Sequence, residues 1–236
     1  MSGHAVMHAR TIHREERGRN PERSREAILN AAEQFFAERG YEATSLQEVG
    51  TRAGLSRAAP GYFFGSKAEL YRAVLDRAFD EVRAAVRTGR ERALSASHPP
   101  EAILAGAVAD YHDFLSARPN FVRLIEREAL GGSPIGDDVS PRLAAGQEAL
   151  SAISEELGLG EAESAENAHL LLSIVALCWF PLVHGPTLLR SIGLDSAAPG
   201  FAEERKRRII DLLLHGVAGR IKPTASSTPP SRRTSR

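Results

Sequence analysis

Residues 44–67 read TSLQEVGTRAGLSRAAPGYFFGSK, and the fold follows from this stretch. Ser45 followed by Glu48 is the Ser-x-x-Glu capping box, in which each side chain satisfies the other residue's backbone N–H and starts a helix. Leu46, Val49 and Ala53 then fall on one helical face, and Gly54 stands where a chain leaving a helix takes positive φ without a Cβ penalty. Leu55 anchors the turn. Ser56 reads as the cap of a second short helix, Arg57 to Phe64, closed by Gly65. Ser66 and Glu69 repeat the capping box and open a third. Two short helices joined by a tight glycine-containing turn describe a helix-turn-helix.

Working outward, Asn20-Pro21-Glu22 supplies an N-cap and a proline at the first helical position. The stripe Ile28, Ala31, Ala32, Phe35 and Phe36 can cover the helix pair, and Gly40 ends that helix. From Ser66 a long helix carries Leu70, Val74, Ala78, Val82 and Val86 on one line, with Tyr71, Leu75 and Phe79 beside it. That surface is wide enough to pack on both the head and a second domain. His98-Pro99-Pro100 and Arg118-Pro119-Asn120 punctuate further helices, because a residue before proline is biased out of helix. Helical periodicity resumes near Pro141 and runs to Leu157, with stops at Gly158 and Gly160. A helix from about Glu161 to Val183 is apolar nearly all round, so it needs partners on more than one side. The last helix spans about Pro199 to Gly219. The expected organisation is all-α: a disordered arm at 1–19, a three-helix head carrying the helix-turn-helix at 20–66, a second helical domain at 67–220, and a disordered tail at 221–236.

Composition fits an ordinary soluble protein. Of 236 residues 42% are apolar, and 30 basic residues offset 30 acidic ones, so any basic face arises from arrangement and not from bulk charge. The single cysteine, Cys178, excludes an intrachain disulfide and fits a reducing cytosol, and the N-terminus has no apolar export region. The apolar run Leu170 to Val183 reads as too short to cross a bilayer. Enzyme signatures fail: GGSPIG at 131–136 misses the Gly-x-Ser-x-Gly spacing, and neither a phosphate-binding GxxxxGK[ST] nor HExxH occurs. His4, His8 and His13 are too irregular for a metal site, and His169 and His184 read as core histidines. No cofactor or metal is expected.

The combination Ile28-Leu29-x-Ala31-Ala32, Phe36, Gly40-Tyr41, Thr44-Ser45, Val49, Ala53-Gly54-Leu55-Ser56 and Phe64-x-Ser66-Lys67-x-Glu69-Leu70 resembles the TetR-type transcriptional regulators over residues 23–75. The resemblance implies a homodimer on a palindromic double-stranded operator, most often a repressor released by a small molecule. An activator or ligand-independent regulator on the same fold, or a helical binding protein with a degenerate head, are the alternatives. Implied DNA contacts fall on Thr44, Ser45, Ser56, Arg57, Ala58, Ala59, Tyr62, Phe63 and Lys67. Thr44, Ser45 and Lys67 stand at helix starts suited to phosphate. Arg57 either reads guanine or holds phosphate. Pro60-Gly61 departs from the family pattern of a bulky aliphatic followed by Tyr. With Ser56 as cap, Pro60 stands at N4 and removes a helical bond; a shift of the cap to Arg57 makes it a harmless N3 but leaves a helix of barely two turns. Tyr62 is expected to take over the backbone contact that Gly61 lacks.

Effector contacts are expected at Tyr111, Phe114 and Trp179, aromatics able to line an apolar cavity with polar tips. Cys178-Trp179 reads either as a sensor pair or as ordinary packing. The resemblance places the dimer interface on the last two long helices, at Leu170, Ile174, Leu177, Ile210, Leu213, Leu214 and Val217. A cytoplasmic protein without a membrane partner is expected.

Overall fold

A computed structural model of the chain describes residues 21–96, 98–132, 134, 136, 140–157 and 165–216. The arm at 1–19, the tail at 221–236, Asn20, Gly158, Gly160 and Val217 lie outside the described residues. The described elements are helical: α1 (Pro21–Arg39), α2 (Leu46–Arg52), α3 (Ala59–Phe64), α4 (Lys67–Ser95), α5 (Pro100–Ala117), α6 (Pro119–Gly131), α7 (Ser140–Leu157), α8 (Ala165–His184), a π-helical turn (Gly185–Leu189) and α9 (Phe201–His215).

Two apolar cores share one helix. Ile28 and Phe36 of α1, Val49 of α2, Phe64 of α3 and Leu70 and Val74 of α4 form the head core, joined by Leu124 from α6. Ala78 of α4 then belongs to the body core with Val108, Leu115, Phe121, Ile174, Cys178 and Ile209. Leu70 and Val74 are fully buried, and each such side chain contributes on the order of 1.5–3 kcal/mol. The start of α4 is therefore held in the head core alongside the head's own helices.

Polar contacts reinforce this joint. Buried Glu33 of α1 accepts from Arg77 of α4 at 2.6 Å and from Arg118, at the α5–α6 corner, at 3.2 Å. Arg127 of α6 donates from Nε to the Ala37 carbonyl and from Nη2 to the Glu38 carbonyl, both at 2.8 Å. Those carbonyls belong to the last turn of α1, which has no intrahelical donors to meet them.

Two expectations about α8 are corrected. The apolar run extends into a 20-residue helix that length and composition alone would allow to cross a membrane. It packs instead against α5, α6, α7 and α9. Pro181 lies inside it, and the π-helical turn follows directly. His169 and His184 are exposed, and among the described residues the buried histidine is His112 of α5, 3% exposed.

Candidate nucleic-acid interface and effector cavity

The head begins at the Ser45 cap, whose Oγ accepts from the Glu48 N–H at 3.2 Å. The Glu48 carboxylate returns to Ser45 through both the backbone N–H and the hydroxyl, which donates to Glu48 Oε2 at 2.9 Å. The Ser45 hydroxyl, assisted by Arg39 at 3.2 Å, holds the Glu48 carboxyl below its ordinary range. Glu48 thus stays ionised beside the turn. The second box is complete: Ser66 Oγ accepts from the Glu69 N–H, and the Glu69 carboxylate accepts from the Ser66 N–H.

The expected start of the recognition helix is corrected. Helix α3 begins at Ala59, with Ala58 as N-cap and no side-chain cap, while Ser56 and Arg57 lie in the preceding turn. Pro60 then falls at N2, where its missing N–H has no helical partner to lose. The cap moves because a Ser56 start would put that ring inside the helix; the result is a recognition helix of six residues. Gly50 explains how so short a unit packs. A Cβ there would lie 2.5 Å from the Ser56 carbonyl oxygen and 3.2 Å from Arg57 Cα, so α2 and the turn touch through backbone.

Thr44 and Lys67 also have partners within the fold. Thr44 is 3% exposed and its Oγ1 donates to the Gly40 carbonyl at 2.8 Å. Lys67 Nζ donates to the Tyr41 and Glu42 carbonyls at 3.0 and 3.3 Å and lies 4.3 Å from the Tyr41 ring centroid. Both side chains pin the α1–α2 turn. Of the residues expected at DNA, Ser45, Ser56, Arg57, Ala58 and Tyr62 are exposed, and Ala59 and Phe63 are partly buried. Tyr62 is 86% exposed and meets Phe63 edge to face at 5.5 Å. Arg57 Nη2 donates to Gln47 of α2. That neighbour went unnoticed in the sequence because a ten-residue separation carries no periodic signal.

The body contains a cavity of about 840 Å³ walled by α4, α5, α6, α7 and α8. Tyr111 and Trp179 line it. Phe114 does not; it packs on Phe121 at 5.6 Å and on the Arg118 guanidinium at 5.9 Å. Trp179 Nε1 donates to Glu126 on the cavity wall. Burial raises the Tyr111 hydroxyl's pKa and pushes the Cys178 thiol up to about 12. Cys178 is fully buried, so it carries no thiolate and packs as a small apolar group. The sequence reading missed Arg83, Arg87 and Arg90 of α4 and Glu148 and Glu155 of α7, which stand at the cavity's polar edge. The arginine spacing of four and three residues was the available signal.

Of the expected interface residues, Ile174 is 6% exposed and lines the cavity, so within one chain it already has partners. Leu170, Leu177, Ile210, Leu213 and Leu214 are partly buried against the body core. The outward apolar residues of α8 are Leu172 and Phe180, 62% and 43% exposed. Leu170, Ile174 and Leu177 follow the inward line at helical spacing, and residues 172, 176 and 180 follow another.

Residues 28–74 match the family model for bacterial regulatory proteins of the tetR family, and residues 100–213 match that for the tetracyclin repressor-like C-terminal domain. The transcriptional repressor NicS of Pseudomonas putida is 26% identical over 209 residues, 85% of this chain and 95% of that protein. The transcriptional activator FasR of Mycolicibacterium smegmatis is 37% identical over 98 residues, and the match spans 42% of this chain and only 43% of FasR. Among solved structures, the fatty acid degradation regulator FadR of Bacillus halodurans superposes with a TM-score of 0.60 at 15% identity, covering 84% of this chain and 97% of that one. This last similarity is one of fold.

Proposed function

We propose, from the premise that the chain belongs to the TetR family of DNA-binding transcriptional regulators, that it is a repressor which binds a palindromic operator as a homodimer in the cytoplasm and leaves it when a small molecule fills the body cavity. The observation that carries this reading is the double role of α4. Its residues 70–75 are built into the head core, and its residues 79–90 supply one wall of the cavity. An occupant that prefers a different placement of that wall shifts the equilibrium between head placements by its differential affinity. Two recognition helices must sit about 34–36 Å apart to enter successive major grooves, so a change of spacing weakens both half-sites together. Repression is favoured over activation because the repressor relative aligns through both domains.

The dimer reading rests on α8. Only 22% of its most apolar 18-residue window is buried within one chain, and Leu172 and Phe180 face outward. Pairing the α8–α9 faces of two copies as a four-helix arrangement covers them. The test is fluorescence anisotropy with DNA from upstream of the protein's own gene, alongside sedimentation. The wild type is expected to sediment as a dimer and bind with salt-sensitive affinity. Phe180→Asp is expected to give a monomer with greatly weakened binding, since one half-site loses the second set of contacts. A wild-type monomer at micromolar concentration, or undiminished operator affinity in a monomeric variant, refutes the reading.

A further inference from the structure

The cavity's polar edge is uneven in one respect. Arg87 and Arg90 of α4 are each matched by a carboxylate of α7, Glu148 at 2.5 Å and Glu155 at 2.6 Å. Arg83, one turn earlier on the same wall, is not matched in this way. Its Nη2 pairs with Asp80 on its own helix, and its Nε stands 4.0 Å from Glu148 Oε2, beyond hydrogen-bond range. That Nε–H is shielded from solvent and has no acceptor among the described residues. A buried donor on a charged group left without an acceptor is a standing cost, relieved by any oxygen that enters within reach.

The rest of the wall specifies the remainder of the occupant. Phe79, Val82, Ile103, Val108, Leu171 and Val175 offer carbon surface only. A volume of about 840 Å³ is of the size that accepts a drug-sized apolar molecule. The competing chemistry, a cation against Glu126, is less favoured. That carboxylate already accepts the Trp179 indole N–H, and neither of its oxygens is a buried atom lacking a partner.

We propose that the effector is an apolar monocarboxylate whose head group accepts the Arg83 Nε–H and competes with Glu148 for Arg87, its carbon skeleton lying against Phe79, Val82 and Val108. This rests on the reading of the cavity as the effector site and adds the ligand's chemical class. It also supplies a mechanical consequence. Drawing Arg87 away from Glu148 loosens α7 from α4, the helix whose first turns are fixed in the head.

Trp179 is the single tryptophan of the chain and lines the cavity, so its emission reports occupancy directly. The experiment titrates the full-length protein with decanoate, 1-decanol and decylamine below their aggregation concentrations. Decanoate is expected to bind at least about ten-fold more tightly than either analogue, as a charge-assisted hydrogen bond implies. Arg83→Gln is expected to lower decanoate affinity by about ten-fold or more and 1-decanol affinity, whose hydroxyl is a weaker neutral acceptor, by a clearly smaller factor, and an unchanged circular dichroism melt shows the variant is folded. Arg83→Lys, which keeps the charge but not the guanidinium donor, is expected to recover only part of the loss. Equal affinity for all three probes, tighter binding of decylamine, or an Arg83→Gln variant that binds decanoate normally would overturn the carboxylate assignment and leave the cavity reading standing. No emission response to any of the three overturns both.

Discussion

Gly50→Ala sets two effects of similar size against each other, and the structure decides the sign. Helix propensity alone favours the substitution by up to ~1 kcal/mol, because glycine in a helix interior carries extra unfolded-state entropy. The geometry opposes it. The added Cβ would lie 2.5 Å from the Ser56 carbonyl oxygen, 3.0 Å from Pro60 Cδ and 3.2 Å from Arg57 Cα, where ordinary contact begins at 3.4 Å. Two of these neighbours are backbone and the third is a rigid ring, so no side-chain rotation relieves the clash. Relief requires moving α2 away from the turn, an overpacking strain costing ~1–3 kcal/mol. The net expectation is a loss of roughly 1–2 kcal/mol, or a fall in Tm of about 2–8 °C for a chain of this size. Gly61→Ala provides the internal control. It sits in the neighbouring helix with nothing within 4 Å of its Cβ and no positive φ, so it should stabilise by ~0.5–1 kcal/mol. Thermal unfolding followed by circular dichroism reads both. A Gly50→Ala protein that melts at or above the wild-type temperature refutes the packing argument.

Other substitutions separate the roles within the head and body. Arg57→Ala should cost ~1–3 kcal/mol at the operator and little on random DNA if the guanidinium reads a base, whereas equal losses on both assign it to phosphate; Gln47→Ala, which frees Arg57 from its partner, should lower operator affinity in the same direction by a smaller amount. Tyr62→Phe removes only a hydroxyl from a residue 86% exposed, so it should leave Tm unchanged and weaken operator binding by roughly 0.5–1.5 kcal/mol in anisotropy titrations. His112 gives a pH signature. Burial depresses its pKa, opposed by Asp113 at 3.5 Å and Glu203 and assisted by Lys206. The neutral ring is therefore favoured in the folded state. Its contribution is present above the unfolded value near ~6.5 and is lost as pH falls through the lower folded value. The Tm of the wild type should drop between pH 7 and 5 more steeply than that of His112→Gln, and parallel curves would exclude the role.

The helix-turn-helix was legible because its determinants are local. A capping serine meets an N–H three residues away, as at Ser45 and Ser66, and an apolar stripe such as Ile28 to Phe36 repeats at a period fixed by the backbone. Those relations survive in a one-dimensional string. Pro60 announced a problem in the same string, and the conflict between the two possible caps was visible there. Its resolution at Ala58 was not, because it depended on how closely α2 approaches the turn through Gly50. The fates of Thr44 and Lys67 were also decided in three dimensions. Both are types that hold phosphate at helix starts, and that they also meet the Gly40, Tyr41 and Glu42 carbonyls depends on where the α1–α2 turn lies. The body shows the same division. Periodicity identified α4 and α8 as apolar on wide surfaces, but could not say which part of each surface meets the chain itself and which is left for something else. Packing five helices around one space put Tyr111 and Trp179 on its wall, turned Phe114 away, and brought the arginines of α4 opposite the glutamates of α7, some sixty residues later in the chain. Cavities and ion pairs of that kind are properties of relative helix placement, which depends on the sum of many contacts and leaves no fixed spacing in the sequence.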